Sequence, residues 1–344
     1  MSDKLNILNY TPDELRAIVS DYGQPAFRAK QVFGWLAKGV VRWNEMNNVP
    51  ASLREQLDNE YYIGIPVVVK AQESEVDGTI KCLFEFADGA RVESVFMKYS
   101  YGNSICISSQ VGCRMGCKFC ASTLNGLSRN LEAGEMLGEI LAMCNFTGED
   151  IRHVVIMGIG EPFDNYDNVA RFLNLVNNKD GYNLSMRNIT VSTCGIVPMI
   201  DRFGNEFPQV NLAVSLHAPN DKLRCETMPI AKKYDYKTLM SVCKTYTNKT
   251  GRRISFEYSM IDGVNDSEAC ARELASHVKG WLTHVNLIPL NKVEGKAYNA
   301  TSKSNIKTFK AILEENNVAV TVRRTLGSDI DAACGQLRNK NGLE

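Results

Sequence analysis

The sequence predicts an α/β fold, a partial, open barrel or wound sheet, with a helical accessory segment before it and a small β-hairpin extension. Three observations lead there. From about residue 104 onward, β-forming runs alternate with helical periodicity, the pattern of parallel strands joined by crossover helices. Roughly six such βα units fit the remaining length, too few for a closed eight-fold barrel. Ahead of them, residues 10–60 carry helical patterning, and two β-rich runs flank an Asp-Gly pair.

In the first segment, Thr11-Pro12-Asp13-Glu14 has the form of a capping box, with Thr11 at the cap, Pro12 in the first turn and Glu14 reaching back. Helical patterns follow over 27–36 and 50–57. The runs 79–86 and 91–99 are separated by Ala87-Asp88-Gly89-Ala90, which signals a hairpin. The alternating series then reads strand 105–108, helix 132–145, strand 154–157, helix 168–176 and strand 188–193 with a short helix after it. It continues with strand 211–216, helix 236–246, strand 254–260, helix 266–278, strand 284–288, helix 304–315 and strand 318–322. These readings divide the chain into an accessory helical unit at 1–75, a hairpin extension at 76–103 and the α/β unit at 104–344. In an α/β unit of either kind, site residues belong at the C-terminal strand ends.

Composition narrows the function classes. The chain has 344 residues, 44% of them hydrophobic, enough for a packed core and against disorder. Its net charge of zero neither demands nor excludes a nucleic-acid partner, because local charge decides that. No apolar run approaches the roughly 20 residues of a membrane span. Met1-Ser2-Asp3-Lys4 lacks the layout of a signal peptide, so the expected place is the cytoplasm, with no membrane partner. The 11 cysteines are odd in number and scattered, which does not read as a disulfide framework.

Cys113, Cys117 and Cys120 form a C-x3-C-x2-C motif just after the first strand of the series. Three thiolates can hold three corners of a four-iron cluster and leave one iron open, which suits a substrate or cofactor. Structural zinc uses similar spacing but wants a fourth protein ligand, and none is obvious nearby. Met157-Gly158-Ile159-Gly160-Glu161-Pro162 ends the next strand; glycines admit close backbone approach, and Glu161 can accept from an ammonium. Ser192 ends Thr190-Val191-Ser192-Thr193, and Ser215-Leu216-His217-Ala218-Pro219 ends the strand after it. Asn291 follows Asn286-Leu287-Ile288-Pro289-Leu290. Each is weak alone. Together they place polar groups at successive strand ends.

The cysteine motif, with aromatic Phe119 before its last cysteine, resembles the signature of the radical S-adenosylmethionine (SAM) superfamily. The resemblance implies a partial (β/α)6 radical SAM barrel, a [4Fe–4S] cluster on Cys113, Cys117 and Cys120, and SAM chelated to the open iron and cleaved to a 5′-deoxyadenosyl radical. It implies SAM contacts at Gly160, Glu161, Ser192, Ser215, Leu216, His217 and Asn291. Val111-Gly112-Cys113, the Gly160-Glu161-Pro162 segment, Ser215-Leu216-His217-Ala218-Pro219 and Asp329-Ile330-Asp331-Ala332-Ala333-Cys334-Gly335-Gln336-Leu337 are similar to the RlmN/Cfr family of RNA methyltransferases. That similarity runs from Phe27-Arg28-Ala29-Lys30-Gln31 nearly to the C-terminus.

The family resemblance implies methylation of C2 of an adenosine in 23S rRNA and of an adenosine in certain tRNAs. The alternative is Cfr-like methylation of C8. An external electron donor of the flavodoxin type and a monomeric chain are expected, with residues 1–75 as an RNA-binding unit. C2 of adenine is electron-poor and cannot attack a sulfonium methyl, so a radical route answers the need. The resemblance gives Cys334, in a C-terminal catalytic loop, the role of methyl carrier, since a thiolate is a strong nucleophile. It makes Cys106 the thiol that resolves the RNA adduct by forming a disulfide with Cys334. It makes Glu93 the base that removes the C2 proton; outside the resemblance Glu93 reads as an exposed strand carboxylate. Between Asp221 and Arg253, nine basic residues (Lys222, Arg224, Lys232, Lys233, Lys237, Lys244, Lys249, Arg252 and Arg253) face three acidic ones (Asp221, Glu226 and Asp235), an excess of six. A phosphate-facing surface and a solvated helix face both look like this. Arg28, Lys30 and Arg42 are further candidates for RNA contact. Another radical SAM activity with a second cluster lacks a second cysteine triplet. A zinc-stabilised RNA-binding module without catalysis leaves the strand-end motifs unexplained.

Overall fold

The computed structural model describes residues 4–291, 293, 295–324, 326–327, 329–330 and 337. The N-terminal part comprises β1 (Leu5–Asn6), α1 (Pro12–Asp21), α2 (Phe27–Leu36), α3 (Ala51–Glu60) and β2 (Tyr61–Tyr62), which pairs in parallel with β1. The capping box forms as the sequence predicts: the Glu14 amide donates to the Thr11 hydroxyl at 3.3 Å, and the Thr11 amide donates to the Glu14 carboxylate at 2.7 Å. These helices have no core of their own. Leu15, Val19, Val32 and Leu53 belong to the same continuous cluster as Ile140, Val154 and Phe256 of the α/β part.

A hairpin of three antiparallel strands follows: β3 (Val67–Glu73), β4 (Ile80–Glu85) and β5 (Arg91–Met97). The β4–β5 turn is the one announced by Asp88-Gly89, with Gly89 at φ 82° and the Asp88 carboxylate accepting from the Ala90 amide at 3.0 Å. Because β3 pairs with β4, the division expected at residue 76 falls inside the turn between them.

The α/β series is β6 (Ser104–Ile107), β7 (Gln110–Gly112), β8 (Leu127–Asn130), α4 (Ala133–Thr147), β9 (His153–Ile156), α5 (Tyr166–Asn177), β10 (Ile189–Thr193), α6 (Val197–Glu206) and β11 (Asn211–Ser215). It ends with α7 (Asp221–Thr227), α8 (Tyr236–Thr250), β12 (Ile254–Met260), α9 (Glu268–Val278), β13 (Thr283–Pro289), α10 (Lys303–Glu315) and β14 (Val320–Val322). One ten-stranded sheet runs in the order β14-β13-β12-β11-β10-β9-β6-β5-β4-β3. From β6 to β14 all neighbours are parallel, and each unit steps in the same direction. Right-handed crossovers in one direction put the helices on one face, and the twisted sheet curls around the other. Val95, Cys106, Ile156, Ser192, Ser215, Glu257 and Ile288, from seven strands, line a single cavity, which only a curled sheet permits. The result is an incomplete barrel with β14 and β3 as its edges. Among the described residues no helix is long and apolar enough to cross a membrane.

Candidate active site

The short antiparallel pair β7–β8 brackets the cysteine loop. The Cys113 amide donates to the Gly126 carbonyl at 2.8 Å, and the Thr123 hydroxyl donates to the carbonyls of Cys117 and Cys120 at 3.2 and 3.0 Å. Lys118 donates its amide to the Thr227 carbonyl at the end of α7, 2.9 Å away. Arg114 holds Asp164 with two bonds of 2.9 and 2.5 Å. Gln110 is the hub of this corner. Its amide nitrogen donates to Asn130 at 2.8 Å and Asp164 at 3.0 Å, and its oxygen accepts from the Glu161 amide at 2.8 Å. The loop that carries the thiols is therefore tied to the loop that carries the glutamate.

Cys113, Cys117 and Cys120 all line a cavity of about 340 Å3 inside the barrel, at the C-terminal ends of the strands. Cys113 and Cys117 are buried. Burial pushes the Cys113 thiol up to about 12. Burial raises Cys117 further, with Cys120 and Cys113 adding to it and Arg224 opposing. Burial therefore favours the neutral form of Cys113 and Cys117, and a metal has to displace their protons on binding. Among the described residues no three His, Cys, Asp or Glu side chains converge tightly enough for a single metal ion. Soft thiolates that each take one corner are what a multi-iron cluster uses.

In the loop tied to the thiols through Gln110, backbone replaces side chain along the cavity wall. A Cβ on Gly158 would lie 2.6 Å from the Ile107 carbonyl oxygen. Gly160 has φ +114°, and a Cβ there would lie 2.7 Å from Gln110 Cβ. Only glycine fits at either position. Glu161 is buried beside them. Its Oε1 accepts from the Thr193 hydroxyl at 2.7 Å and the Phe163 amide at 3.0 Å, and its Oε2 accepts from the Cys194 amide at 2.7 Å. Burial still raises its carboxyl above the ordinary value.

Ser192, Ser215, His217 and Asn291 line the same cavity, as their strand-end positions predict. His217 has φ 53° and accepts the Ser259 amide on Nδ1 at 2.9 Å, so its proton sits on Nε2. Burial and the Arg224 charge lower its pKa to about 3, which keeps the ring neutral. Its ring meets Phe119 edge-on, with centroids 5.0 Å apart. The Leu216 side chain does not border the cavity. It points away from the cavity into the core, because the chain alternates sides at the end of β11.

Cys106 lies on the inner face of β6 and lines the cavity beside Val95, its cross-strand partner. Glu93 shares that inner face on β5 but does not border the cavity, and it is not exposed. Its carboxylate meets the Lys81 ammonium at 2.8 Å, with side-chain exposures of 3% and 0%. On the opposite face, the fully buried Glu139 of α4 accepts from the Ser94 hydroxyl at 2.5 Å and the Ser108 amide at 3.0 Å. Cys334 lies outside the described residues, as does Asp331. Among the described residues no disulfide forms.

The chain beyond β14 closes the gap between the sheet edges. Arg323, Arg324 and Leu326 line the cavity. The Gly327 amide donates to Asp77 at 2.9 Å. Asp329 accepts from the Ser74 hydroxyl at 2.6 Å and the Glu75 amide at 2.9 Å. The C-terminal segment is thus strapped to the β3–β4 turn.

Sequence reasoning missed Gln110, Glu257 and Arg224. Glu257 is buried, borders the cavity and accepts from Asn286 at 3.0 Å. Its signal was the alternation Ser255, Glu257, Ser259 in an otherwise apolar strand, which marks a polar inner face. Arg224 is fully buried and so drops out of the basic surface, whereas Lys222, Lys232, Lys233, Lys237, Lys244, Lys249 and Arg253 are exposed. Of the N-terminal candidates, Arg28 is bonded to Gln31 and Asn48, Lys30 pairs with Asp180, and Arg42 pairs with Glu45.

Comparison with known proteins agrees with this geometry. The profile described as the radical SAM superfamily matches residues 107–273, and the ribosomal RNA large subunit methyltransferase N-terminal domain matches residues 5–63. A probable dual-specificity RNA methyltransferase RlmN of Lachnoclostridium phytofermentans is 50% identical over 98% of this chain and 95% of its own length. One of Clostridium botulinum (strain Okra / Type B1) is 51% identical over 97% of this chain and 98% of its own. The crystal structure of a radical SAM methyltransferase from Sphaerobacter thermophilus superposes with a TM-score of 0.93, at 42% identity, covering 96% of this chain and 98% of that one. The superfamily's cofactors are a [4Fe–4S] cluster and SAM, and the three thiols and the glycine-lined wall fit both. The chain belongs to the RlmN family of radical SAM RNA methyltransferases.

Proposed function

We propose that this enzyme methylates C2 of an adenosine in 23S rRNA, and of an adenosine in certain tRNAs, through an S-methylcysteine on Cys334. The observation that carries the reading is the strap: the segment leading to Cys334 borders the same cavity as Cys106 and the cluster thiols, and it is anchored at Asp329. In sequence, Cys334 follows that anchor by five residues. Leu337, beyond it, is buried.

When bound, the cluster and SAM supply a 5′-deoxyadenosyl radical, which can take a hydrogen from a sulfur-bound methyl group. Cys113, Cys117 and Cys120 hold the cluster. Glu161, with the backbone at Gly160, receives the amino group of SAM, while Ser192, Ser215, neutral His217 and Asn291 orient the rest. Cys334 takes a methyl from one SAM as a thiolate and presents it to the adenine. Once the carbon–carbon bond forms and the adduct gives back one electron, Glu93, held by Lys81 at 2.8 Å, accepts the C2 proton. Cys106, as a thiolate, attacks the Cys334 sulfur; the carbon–sulfur bond breaks, the freed carbon takes a proton from solvent to complete the methyl group, and a disulfide remains. The target base is unstacked into the cavity, and the exposed lysines of α7, α8 and the segment between them receive phosphates. The electron comes from an external flavodoxin-type donor, and one chain is sufficient as a monomer.

Anaerobic protein incubated with SAM, reductant and protein-free 23S rRNA tests this by nucleoside mass spectrometry. The expected product is 2-methyladenosine. Finding 8-methyladenosine would transfer the enzyme to Cfr-like chemistry, and no methylated base would refute the reading.

A further inference from the structure

Arg224 lies in α7 and is completely buried. Its Nη2 donates to the Cys194 carbonyl at 2.5 Å. Its Nε and Nη1 have no hydrogen-bond partner among the described residues, and no carboxylate there pairs with it. A guanidinium stays charged and carries five donors, so such burial is costly unless a negative charge compensates it. The fold makes room for it deliberately: Gly195 has φ +101°, and a Cβ there would lie 3.0 Å from Nη2. Beyond the Cys194 turn lies an apolar nest of Cys117, Cys194 and Met228, with Phe119 and Ile196 against it. The chain surrounds one wall of the cluster site with apolar groups and one unneutralised cation.

We propose that Arg224 is the buried counter-charge of the iron–sulfur cluster, a positioning residue that favours its reduced state. The proposal rests on the cluster being held by Cys113, Cys117 and Cys120. Three thiolates outweigh the positive charge of an oxidised four-iron core, so the loaded unit is negative. Reduction adds one electron from an external one-electron donor, with no bond made or broken, and the unit becomes more negative. A nearby cation in low dielectric stabilises that state most.

The test compares wild type with Arg224→Met, Arg224→Gln and Arg224→Lys, as full chains, both iron-free and reconstituted. Midpoint potentials are read by dithionite titration followed by electron paramagnetic resonance. Arg224→Met and Arg224→Gln should shift the reduction equilibrium at least tenfold toward the oxidised cluster, which is 59 mV for a one-electron couple. Arg224→Lys should stay within threefold of wild type. The iron-free Arg224→Met chain should unfold no lower in temperature than iron-free wild type, because it loses a buried unpaired charge. Unchanged potentials in the Met and Gln variants would overturn the proposal. So would a less stable iron-free Met variant with an unshifted Gln variant, which would make Arg224 only a support for the Cys194 carbonyl. Wild type that binds no iron would instead refute the cluster itself.

Discussion

Replacing Lys81 by Met should destabilise the protein, and replacing Glu93 by Gln in the same chain should largely restore it. The two charged atoms are 2.8 Å apart, and neither side chain is more than 3% exposed. Removing one partner of such a pair leaves a buried charge and costs about 3–5 kcal/mol. Replacing both by neutral groups of similar volume is close to neutral, so the cycle should show a coupling of at least ~3 kcal/mol. Urea unfolding of the four chains, with midpoint and slope read separately, measures it. Single variants that cost under ~1 kcal/mol, or a double variant whose loss equals the sum of the singles, would refute the pairing argument. The cycle also separates structure from chemistry. A double variant that is stable yet stalls with RNA attached fits Glu93 as the base, whereas full turnover by that variant would remove Glu93 from the role.

Other outcomes follow from the same geometry. Cys106→Ala should accumulate a covalent RNA–protein adduct on denaturing gels, and Cys334→Ala should form neither adduct nor methylated base; turnover by either variant contradicts its role. Glu139→Gln should stabilise the protein at pH 8 by on the order of 1–3 kcal/mol. Burial raises the Glu139 carboxyl well above its ordinary 4.5, so the folded state binds that proton more tightly than the unfolded one. The stability from the protonated group is therefore complete below pH 4.5 and is lost as pH rises, and the advantage of Gln should fade on acidification. Melting temperatures measured at pH 5 and pH 8 check this, and an equal gain at both would contradict it.

Much of the architecture was legible because its signals are local. The Thr11–Glu14 capping box, the Asp88-Gly89 hairpin and the β12 strand Ile254–Met260 appear where their residues predict. The short helix α7 and the β7–β8 pair escaped notice, since seven residues and three residues are too few to show periodicity. The cavity-facing set Ser192, Ser215, His217 and Asn291 was legible from strand ends alone. Leu216 was named with its neighbours, and alternation turns its side chain away from the cavity into the core. Glu93 looked like an exposed strand carboxylate, and its burial depends on Lys81 from the neighbouring strand β4. Arg224 was counted among surface cations because nothing in the Asp221–Arg253 segment itself distinguishes a buried arginine from a solvated one.

The central claim is that the methyl group passes through Cys334 and loses a hydrogen before it reaches the base. The direct test is one reaction with SAM whose methyl carries three deuterium atoms, followed by mass spectrometry of the isolated methyladenosine. Passage through a protein-bound methylene predicts that two deuterium atoms remain in the product and that one appears in 5′-deoxyadenosine. A product that retains all three deuterium atoms would mean direct transfer from SAM and would contradict the account.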